Sequence, residues 1–436
     1  MSAPAVPMPD LPAPSPLALP RLFAGVHHDR PVSLTEHLHR YGELVPRPRR
    51  GADAELLDLV EASGLQGRGG AGFPTSRKLR AVAAGRRRPV VLANGVEGEP
   101  VSGKDKALLV SVPQLVLDGA AVAAAAVGAR EVTIAVAAGE PGATVQAAIA
   151  ERERRRLDRV SFRLVSVPGR FVAGEETALV NWVNGGPAKP TFTPPRPFER
   201  GVGGAPTLVQ NVETLAHLAL IARFGPDWFG ALGTSKEPGT ALVTLGGAVQ
   251  EPGIYEIPLG LPLADLLAWA GGPSAPISAF LIGGYFGAWV AAGKALSLAL
   301  LDSELRSNGA SLGARAIFAL PDSSCGIIET ARVSRYLAQE SAGQCGPCLN
   351  GLDAIATALE QLAWGTSDRR APNAHLGRWL EQVSGRGACR HPDGAARLAQ
   401  SALRVFARER KRHAQGSCSG AGRPLLPVEN TRESAR

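Results

Sequence analysis

Between residues 52 and 167 the chain switches repeatedly between segments of helical period and short apolar runs of strand length, and few folds accommodate that order. Residues 52–63, 76–84, 113–127 and 143–155 carry apolar side chains at helical spacing. Residues 89–93, 131–136 and 162–167 are Val-rich runs bounded by turn residues. The alternation predicts an α/β fold built on a Rossmann-like parallel sheet with helices on both faces. Ligands of such sheets bind at the carboxyl ends of the strands, so polar and glycine-rich segments at those ends are the first places to look for function.

One such segment is Gly67-Arg68-Gly69-Gly70-Ala71-Gly72-Phe73-Pro74-Thr75, followed by Lys78. Four glycines in six residues let peptide N–H groups approach a flat anionic ligand with no Cβ in the way, as a nucleotide requires. The stretch satisfies G-x-G-x-x-G but follows the helical segment 52–63. The dinucleotide fingerprint needs strand, turn and helix in that order, so it does not apply. A different nucleotide loop and a merely flexible loop both remain open.

The next segment leaves the strand 89–93 as Asn94-Gly95-Val96-Glu97-Gly98-Glu99-Pro100, with Lys104-Asp105 beyond. Asn94 can donate to and accept from a heterocycle edge, and Glu97 and Glu99 can accept from ribityl or ribose hydroxyls. A solvated acidic turn is the plain alternative. Gly174-Glu175-Glu176-Thr177 opens an apolar helix, where acidic residues also suit the first turn. After the proline-rich loop 185–206, Gln210-Asn211-Val212-Glu213-Thr214 caps a helix running to Arg223.

Composition matters chiefly for what it excludes. The formal charge of +8 is scattered, without the stripe of alternating basic and aromatic residues that an RNA or single-strand binder needs. No nucleic acid is expected, and an acidic redox partner fits better. The first twenty residues hold seven prolines and no Lys or Arg, unlike a signal peptide, and the uncharged run 266–293 is broken repeatedly by Gly and Pro. The expected location is the cytoplasm, with membrane contact only through partners. Five cysteines, an odd number, argue for metal or redox use over a disulfide framework.

The segments 67–75, 94–105, 174–177 and 211–214 occur in the order and spacing of the flavoprotein, NADH-oxidising subunit of respiratory complex I. From about residue 53 to 408 the chain resembles that family, which includes the diaphorase subunits of soluble hydrogenases and formate dehydrogenases. The resemblance implies an FMN site made by Gly67 to Thr75, Lys78, Asn94, Gly174 to Thr177, Asn211 and Thr214, with Glu97 and Glu99 positioning the nicotinamide of NADH. It also implies a small β-grasp, soluble-ligand-binding domain, which matches the hairpin-like pair 240–245 and 253–257, the helix 263–270 and the strand 280–282. A C-terminal helical-bundle iron-sulfur domain follows. The expected organisation is a Pro/Ala-rich leader over 1–50 with one short helix near 34–41, and an FMN/NADH-binding domain over 51–236. A β-grasp-like domain over 237–310, a connecting strand and helical iron-sulfur domain over 311–410, and a basic disordered tail over 411–436 complete it.

Cys345-Gly346-Pro347-Cys348 lies between helical segments 327–338 and 349–362, and Cys389 follows after forty intervening residues. Alone, such a pair is compatible with a thioredoxin-like redox pair or a zinc half-site. In the family that the chain resembles, S-C-G-x-C-x-x-C and a lone Cys about forty residues on hold one [4Fe-4S] cluster, which implies Cys345, Cys348 and Cys389 as iron ligands. The position of the first ligand reads Ala342. Three thiolates hold a [3Fe-4S] cluster, or a [4Fe-4S] cluster whose last iron takes Cys418, His391 or a partner's side chain. Cys325, at the start of a helical segment, reads as an inert buried thiol.

Other departures from the family pattern fall on the nicotinamide side. Ala81 and Arg196 stand where the family has Phe, and Thr193 where it has Lys. Losing two aromatic stacks of about 0.5–1.5 kcal/mol each weakens NADH by roughly one or two orders of magnitude. Arg196 offsets this if it stacks on adenine or pairs a phosphate. On the flavin side Val96, Phe171 and Gln210 replace an Asp, a Tyr and an Asn.

The function implied is an FMN-dependent, iron-sulfur NADH dehydrogenase. It passes electrons from NADH through FMN and a cluster to a ferredoxin-like or other iron-sulfur protein, or to a quinone-linked acceptor, within a larger complex. The rivals are a flavin and iron-sulfur electron-transfer module that no longer oxidises NADH, and a non-catalytic interaction subunit.

Overall fold

A computed structural model describes residues 17–27, 30–44, 51–364, 371–418, 420 and 424–428, with the side chains of 371–374 left aside. The expected leader and tail therefore fall partly outside the described residues. In chain order the elements are α1 (Leu34–Tyr41), α2 (Ala54–Ser63), α3 (Thr75–Ala83), β1 (Val90–Gly95), α4 (Lys104–Ser111), α5 (Pro113–Val127), β2 (Glu131–Ala137), α6 (Glu140–Arg155), β3 (Ser161–Val167), α7 (Glu176–Val183), β4 (Thr207–Asn211) and α8 (Val212–Gly230). There follow β5 (Thr240–Gly247), β6 (Gly253–Pro258), α9 (Leu263–Trp269), β7 (Ile277–Ile282), β8 (Ala288–Ala291), α10 (Ala292–Ala295), α11 (Asp302–Ser307), β9 (Ala316–Pro321), α12 (Gly326–Gln339), α13 (Leu352–Trp364), α14 (Ala371–Val383), α15 (His391–Val405) and α16 (Ala407–Ala414). They fall into two bodies, residues 1–96, 105–167 and 195–240 in the first and 97–104, 168–194 and 241–436 in the second.

The first body is a four-stranded sheet in the order β3-β2-β1-β4, with every neighbouring pair parallel. Parallel strands bury both faces, which is why β1 and β2 are continuous apolar runs. Helix α5 begins with Pro113 at its first position, where the missing N–H costs nothing, and all its residues are buried. The chain leaves β1 for β2 and β3 on one side and returns to β4 on the other, so the order reverses between β1 and β4. In a doubly wound sheet that reversal opens a crevice at the carboxyl ends of the two strands.

A buried ion network ties the helices of this body together. Asp118 of α5 meets His37 of α1 at 2.8 Å, Arg152 of α6 at 2.8 Å, and Arg223 of α8. Arg152 also grips Asp158 through two nitrogens, at 2.8 and 2.7 Å. Burial pushes the Asp118 carboxyl upward, but the guanidinium groups of Arg223 and Arg152 outweigh it and hold the group far below the usual carboxylate range. Helix α1 carries the reciprocal Ser33 and Glu36 capping pair and lies where a short helix is expected.

The second body carries a five-stranded sheet, β6-β5-β9-β7-β8, with β5 parallel to β9 and β7 antiparallel to both β8 and β9. Strands β5 and β6 are neighbours, as the hairpin-like pair requires, and α9 adds its buried leucines to the core of this sheet. Strand β9 completes the sheet from beyond residue 310. Helices α12 to α15 pack their apolar faces into a second core, to which β7, β8 and β9 contribute Leu281, Trp289 and Leu320. The fold class is thus the expected one: a parallel-sheet α/β domain, a β-grasp-like unit and a helical C-terminal region. Where a basic disordered tail is expected from 411, α16 runs on to Ala414. Leu426 is buried, with the N–H groups of Leu425 and Leu426 donating to Glu329 at 3.1 Å each. Among the described residues no single helix is long and apolar enough to cross a membrane.

Candidate functional site

In the first body the glycine stretch joins α2 to α3. It is closed at its base, with the Gly67 N–H donating to the Phe73 carbonyl at 2.8 Å and the Thr75 N–H to the Leu65 carbonyl at 3.0 Å. Gly70 (φ 101°) and Gly72 (φ 62°) occupy the left-handed region that side chains avoid. Arg68 turns inward and is 1% exposed, its Nη2 donating to the Pro238 carbonyl at 3.2 Å. Its backbone N–H donates to Thr214 Oγ1 at 2.8 Å. Gly69 lies against Asn211 so closely that a Cβ there would stand 3.1 Å from the Asn211 Cβ.

Asn211 ends β4 and stands opposite Asn94 of β1 in register, so the loop rests on the strand ends at the sheet's reversal point. Asn211 Oδ1 accepts the Glu213 N–H at 3.0 Å and caps α8, while Nδ2 donates to Asp105 at 2.7 Å. Asn94 accepts the Val96 N–H at 3.1 Å. Gly67 to Thr75, Asn94, Asn211 and Thr214 are therefore brought together, with Lys78 in the first turn of α3. Asn211 and Thr214 brace the loop from beneath. A bare-peptide cradle at this crevice, where a Cβ at the tight point would press on Asn211, fits a flavin nucleotide.

In the second body Glu99 is gripped by its own chain: Oε2 accepts the Tyr285 N–H at 2.8 Å and Oε1 the Val101 N–H at 3.5 Å. Burial pushes its carboxyl up to about 8; the two N–H groups pull the other way, and the neighbouring Glu97 adds to the rise. Glu97 accepts the Ser102 hydroxyl. Glu175 is the cap of α7, its Oε2 accepting the N–H groups of Thr177 at 2.9 Å and Ala178 at 3.0 Å. Glu176 and Thr177 form the first turn of α7, and Gly174 ends the short 3-10 turn before it.

The same body gathers Cys345, Cys348 and Cys389. Cys348 sits in a single wide turn, Pro347–Gly351, a distortion common at functional sites. Burial opposes ionisation of Cys345, but the N–H groups of Ala388 and Cys348 and the Cys348 thiol outweigh it and hold Cys345 below the ordinary thiol range. Burial, then Cys345 and Cys389, push the Cys348 thiol up to about 12. Burial raises Cys389 as well, and the Glu175 carboxylate adds to it. Three mutually sensed sulfurs beside a peptide N–H supply are a donor set that fits iron and sulfide. Ala342 is buried.

Of the candidates for a fourth iron ligand, Cys418 lies elsewhere, against Cys325, Glu409 and His413. His391 Nε2 stands 2.7 Å from the Leu337 carbonyl, and its buried Nδ1 has no hydrogen-bond partner among the described residues. Asp105, which fixes Asn211, and Tyr285, which fixes Glu99, carry no signal in the sequence beyond their neighbourhood.

A nucleotide loop at the reversal point of one sheet, with three gathered thiols farther along the chain, defines a flavin- and iron-sulfur-binding oxidoreductase module. Comparison with known proteins makes the assignment specific. The Nuo51 FMN-binding domain matches residues 60–220, the SLBB domain 242–279, and the NADH-ubiquinone oxidoreductase-F iron-sulfur binding region 329–413. An NADH-quinone oxidoreductase subunit of Rhizobium meliloti is 32% identical over 81% of this chain and 87% of its own length. Its counterpart in Mycobacterium tuberculosis is 31% identical over 86% and 88% respectively. Among solved structures, the air-oxidized NAD+-reducing [NiFe]-hydrogenase superposes with a TM-score of 0.76 at 30% identity, covering 86% of this chain and 64% of the hydrogenase chain. The chain belongs to the NADH-quinone oxidoreductase-F family, a family of FMN and iron-sulfur NADH dehydrogenase subunits.

Proposed function

We propose that this chain binds FMN on the glycine loop and an iron-sulfur cluster on Cys345, Cys348 and Cys389, and carries electrons from NADH to an iron-sulfur protein within a larger cytoplasmic complex. When bound, the flavin supplies the conversion of a two-electron hydride donor into single electrons that a cluster accepts. The residues of the chain bind and orient. Glycine-loop amides and Lys78 would hold the phosphate and ring, with Gly174 to Thr177 contributing to the same cofactor through the carboxylates of Glu175 and Glu176, which would fix hydroxyls. Glu97 and Glu99 would position the nicotinamide, burial raising the Glu99 carboxyl. In functional terms 51–236 serves flavin and nicotinamide, 237–310 with β9 serves as the β-grasp spacer, and 311–410 carries the cluster. The iron ligand that Ala342 does not supply comes from His391 or from a partner.

The observation that carries this reading is the convergence of the three cysteines in a chain that also closes its glycine loop over Asn211. A second reading, a flavin and iron-sulfur relay that has lost NADH, draws support from Ala81, Thr193 and Arg196 and from the engagement of Glu99 by Tyr285 and Val101. An anaerobic spectrum of the purified chain before and after NADH separates the two. Flavin bleaching with a reduced-cluster EPR signal is expected. A flavin that bleaches with dithionite and not with NADH supports the relay, and a colourless, iron-free protein after reconstitution refutes both.

A further inference from the structure

A second group of sulfur, nitrogen and oxygen donors forms where the start of α12, the last turns of α16 and the chain just beyond it meet. One ligand atom each from Cys325, Glu409, His413 and Cys418 lies within 4.8 Å of all the others. The Cys325 sulfur is 3.2 Å from His413 Nε2 and 4.0 Å from Glu409 Oε1, and the last two are 3.4 Å apart. Ligands bound to one zinc ion at about 2.0–2.3 Å in a tetrahedron stand roughly 3.3–3.8 Å from one another, so small shifts bring these four around a common centre.

The surroundings are arranged as the outer shell of such a site. His413 Nδ1 is 3.0 Å from the Ala363 carbonyl, which can only accept, so the neutral ring carries its proton there and turns the Nε2 lone pair toward Cys325. Glu409 offers Oε1 to the group while Oε2 is 3.8 Å from Arg412. Two thiolates and a carboxylate on a divalent cation leave one excess negative charge, and the Arg412 guanidinium beside Glu409 offsets it. Cys325 and His413 are buried and Cys418 is exposed at the rim. The turn after Cys418 closes onto α12: a Cβ at Gly420 would come 2.5 Å from the Cys325 nitrogen, so only glycine lets the backbone lie there.

We infer that Cys325, Glu409, His413 and Cys418 form a closed, structural zinc site that clasps the C-terminal segment to α12 and shares no ligand with the cysteines at 345, 348 and 389. The mixed sulfur and nitrogen set selects zinc over magnesium or calcium. Binding displaces the thiol protons of Cys325 and Cys418 to solvent, so uptake strengthens as pH rises. The clasp holds in place the strand of chain whose Leu425 and Leu426 amides grip Glu329.

The test is zinc and iron content of the full-length protein, together with cobalt uptake after zinc removal. One zinc per chain is expected, with tetrahedral thiolate-cobalt bands on substitution. Cys418→Ser, at an exposed position where folding is not at stake, and Cys325→Ser lower zinc at least tenfold and leave iron unchanged. Cys348→Ala does the reverse. Absence of zinc with no cobalt bands, zinc that survives both serine variants, or a Cys325–Cys418 disulfide in the non-reduced protein by mass spectrometry would each overturn the assignment.

Discussion

Asp118, buried in the first body, and Glu99, partly buried in the second, are carboxylates that shift in opposite directions. Asp118 has two guanidinium groups and His37 against it and stays ionised. Glu99 has only peptide N–H groups and another acid, and burial wins. The same contrast extends to Cys348 and Cys325, whose thiols burial pushes up to about 12. In the first body the charge of Asp118 is compensated by side chains of that same body. In the second body burial opposes the ionisation of Glu99, Cys348 and Cys325. Compensated burial stabilises a scaffold, and uncompensated burial prepares a site.

The sharpest break in that comparison is Asp118→Asn, which removes the buried carboxylate that Arg152, Arg223 and His37 share. A loss of about 3–5 kcal/mol is expected in denaturant unfolding of the first body. A loss below about 1 kcal/mol would mean the network is incidental. Cys348→Ala leaves folding nearly intact but reduces bound iron at least tenfold, measured on the reconstituted protein; unchanged iron would make these cysteines structural.

Smaller is the effect of Ala342→Cys, which adds a thiolate where the family resemblance puts one. The three-iron EPR signal that develops on air oxidation should fall roughly threefold or more, because the last iron is held by sulfur instead of a weaker ligand. An unchanged signal would mean that residue 342 does not face the cluster.

The remaining test falls on Glu99. Its folded-state value lies above the unfolded one, so the folded protein binds the extra proton, and this stability is fully present below about pH 4.5 and lost as pH rises toward 8. Thermal unfolding of the wild type relative to Glu99→Gln, followed from pH 5 to 8, should show the wild type losing ground as pH increases. A difference that does not change over that range would remove Glu99 from the comparison. Asp118 has the opposite sign: its folded value is depressed, so its contribution is present above the ordinary carboxylate range and disappears only in acid.

Much of the molecule is legible along the chain. The 3.6-residue spacing over 113–127 becomes α5 with the same limits, and the runs at 131–136 and 162–167 become β2 and β3, because an amphipathic or fully apolar period is a local property. Strand β4 is different. Thr207–Asn211 looks like the end of a proline-rich loop and becomes a strand only through its hydrogen bonds to β1. Glu175 illustrates the same limit within the site, since its carboxylate is committed to the start of α7, a use that spacing alone cannot separate from ligand binding.

The sequence by itself determined the order of helices and strands, the glycine-rich loop at 67–75 and the sulfur spacing at 345, 348 and 389, since each is written in residues close together in the chain. Tertiary structure alone decided that Thr214 and Asn211 brace that loop, that the surroundings of Glu99 raise its carboxyl, and that Cys325 meets His413. Those outcomes depend on burial and on distances between segments far apart in the chain, and neither quantity has a local signature.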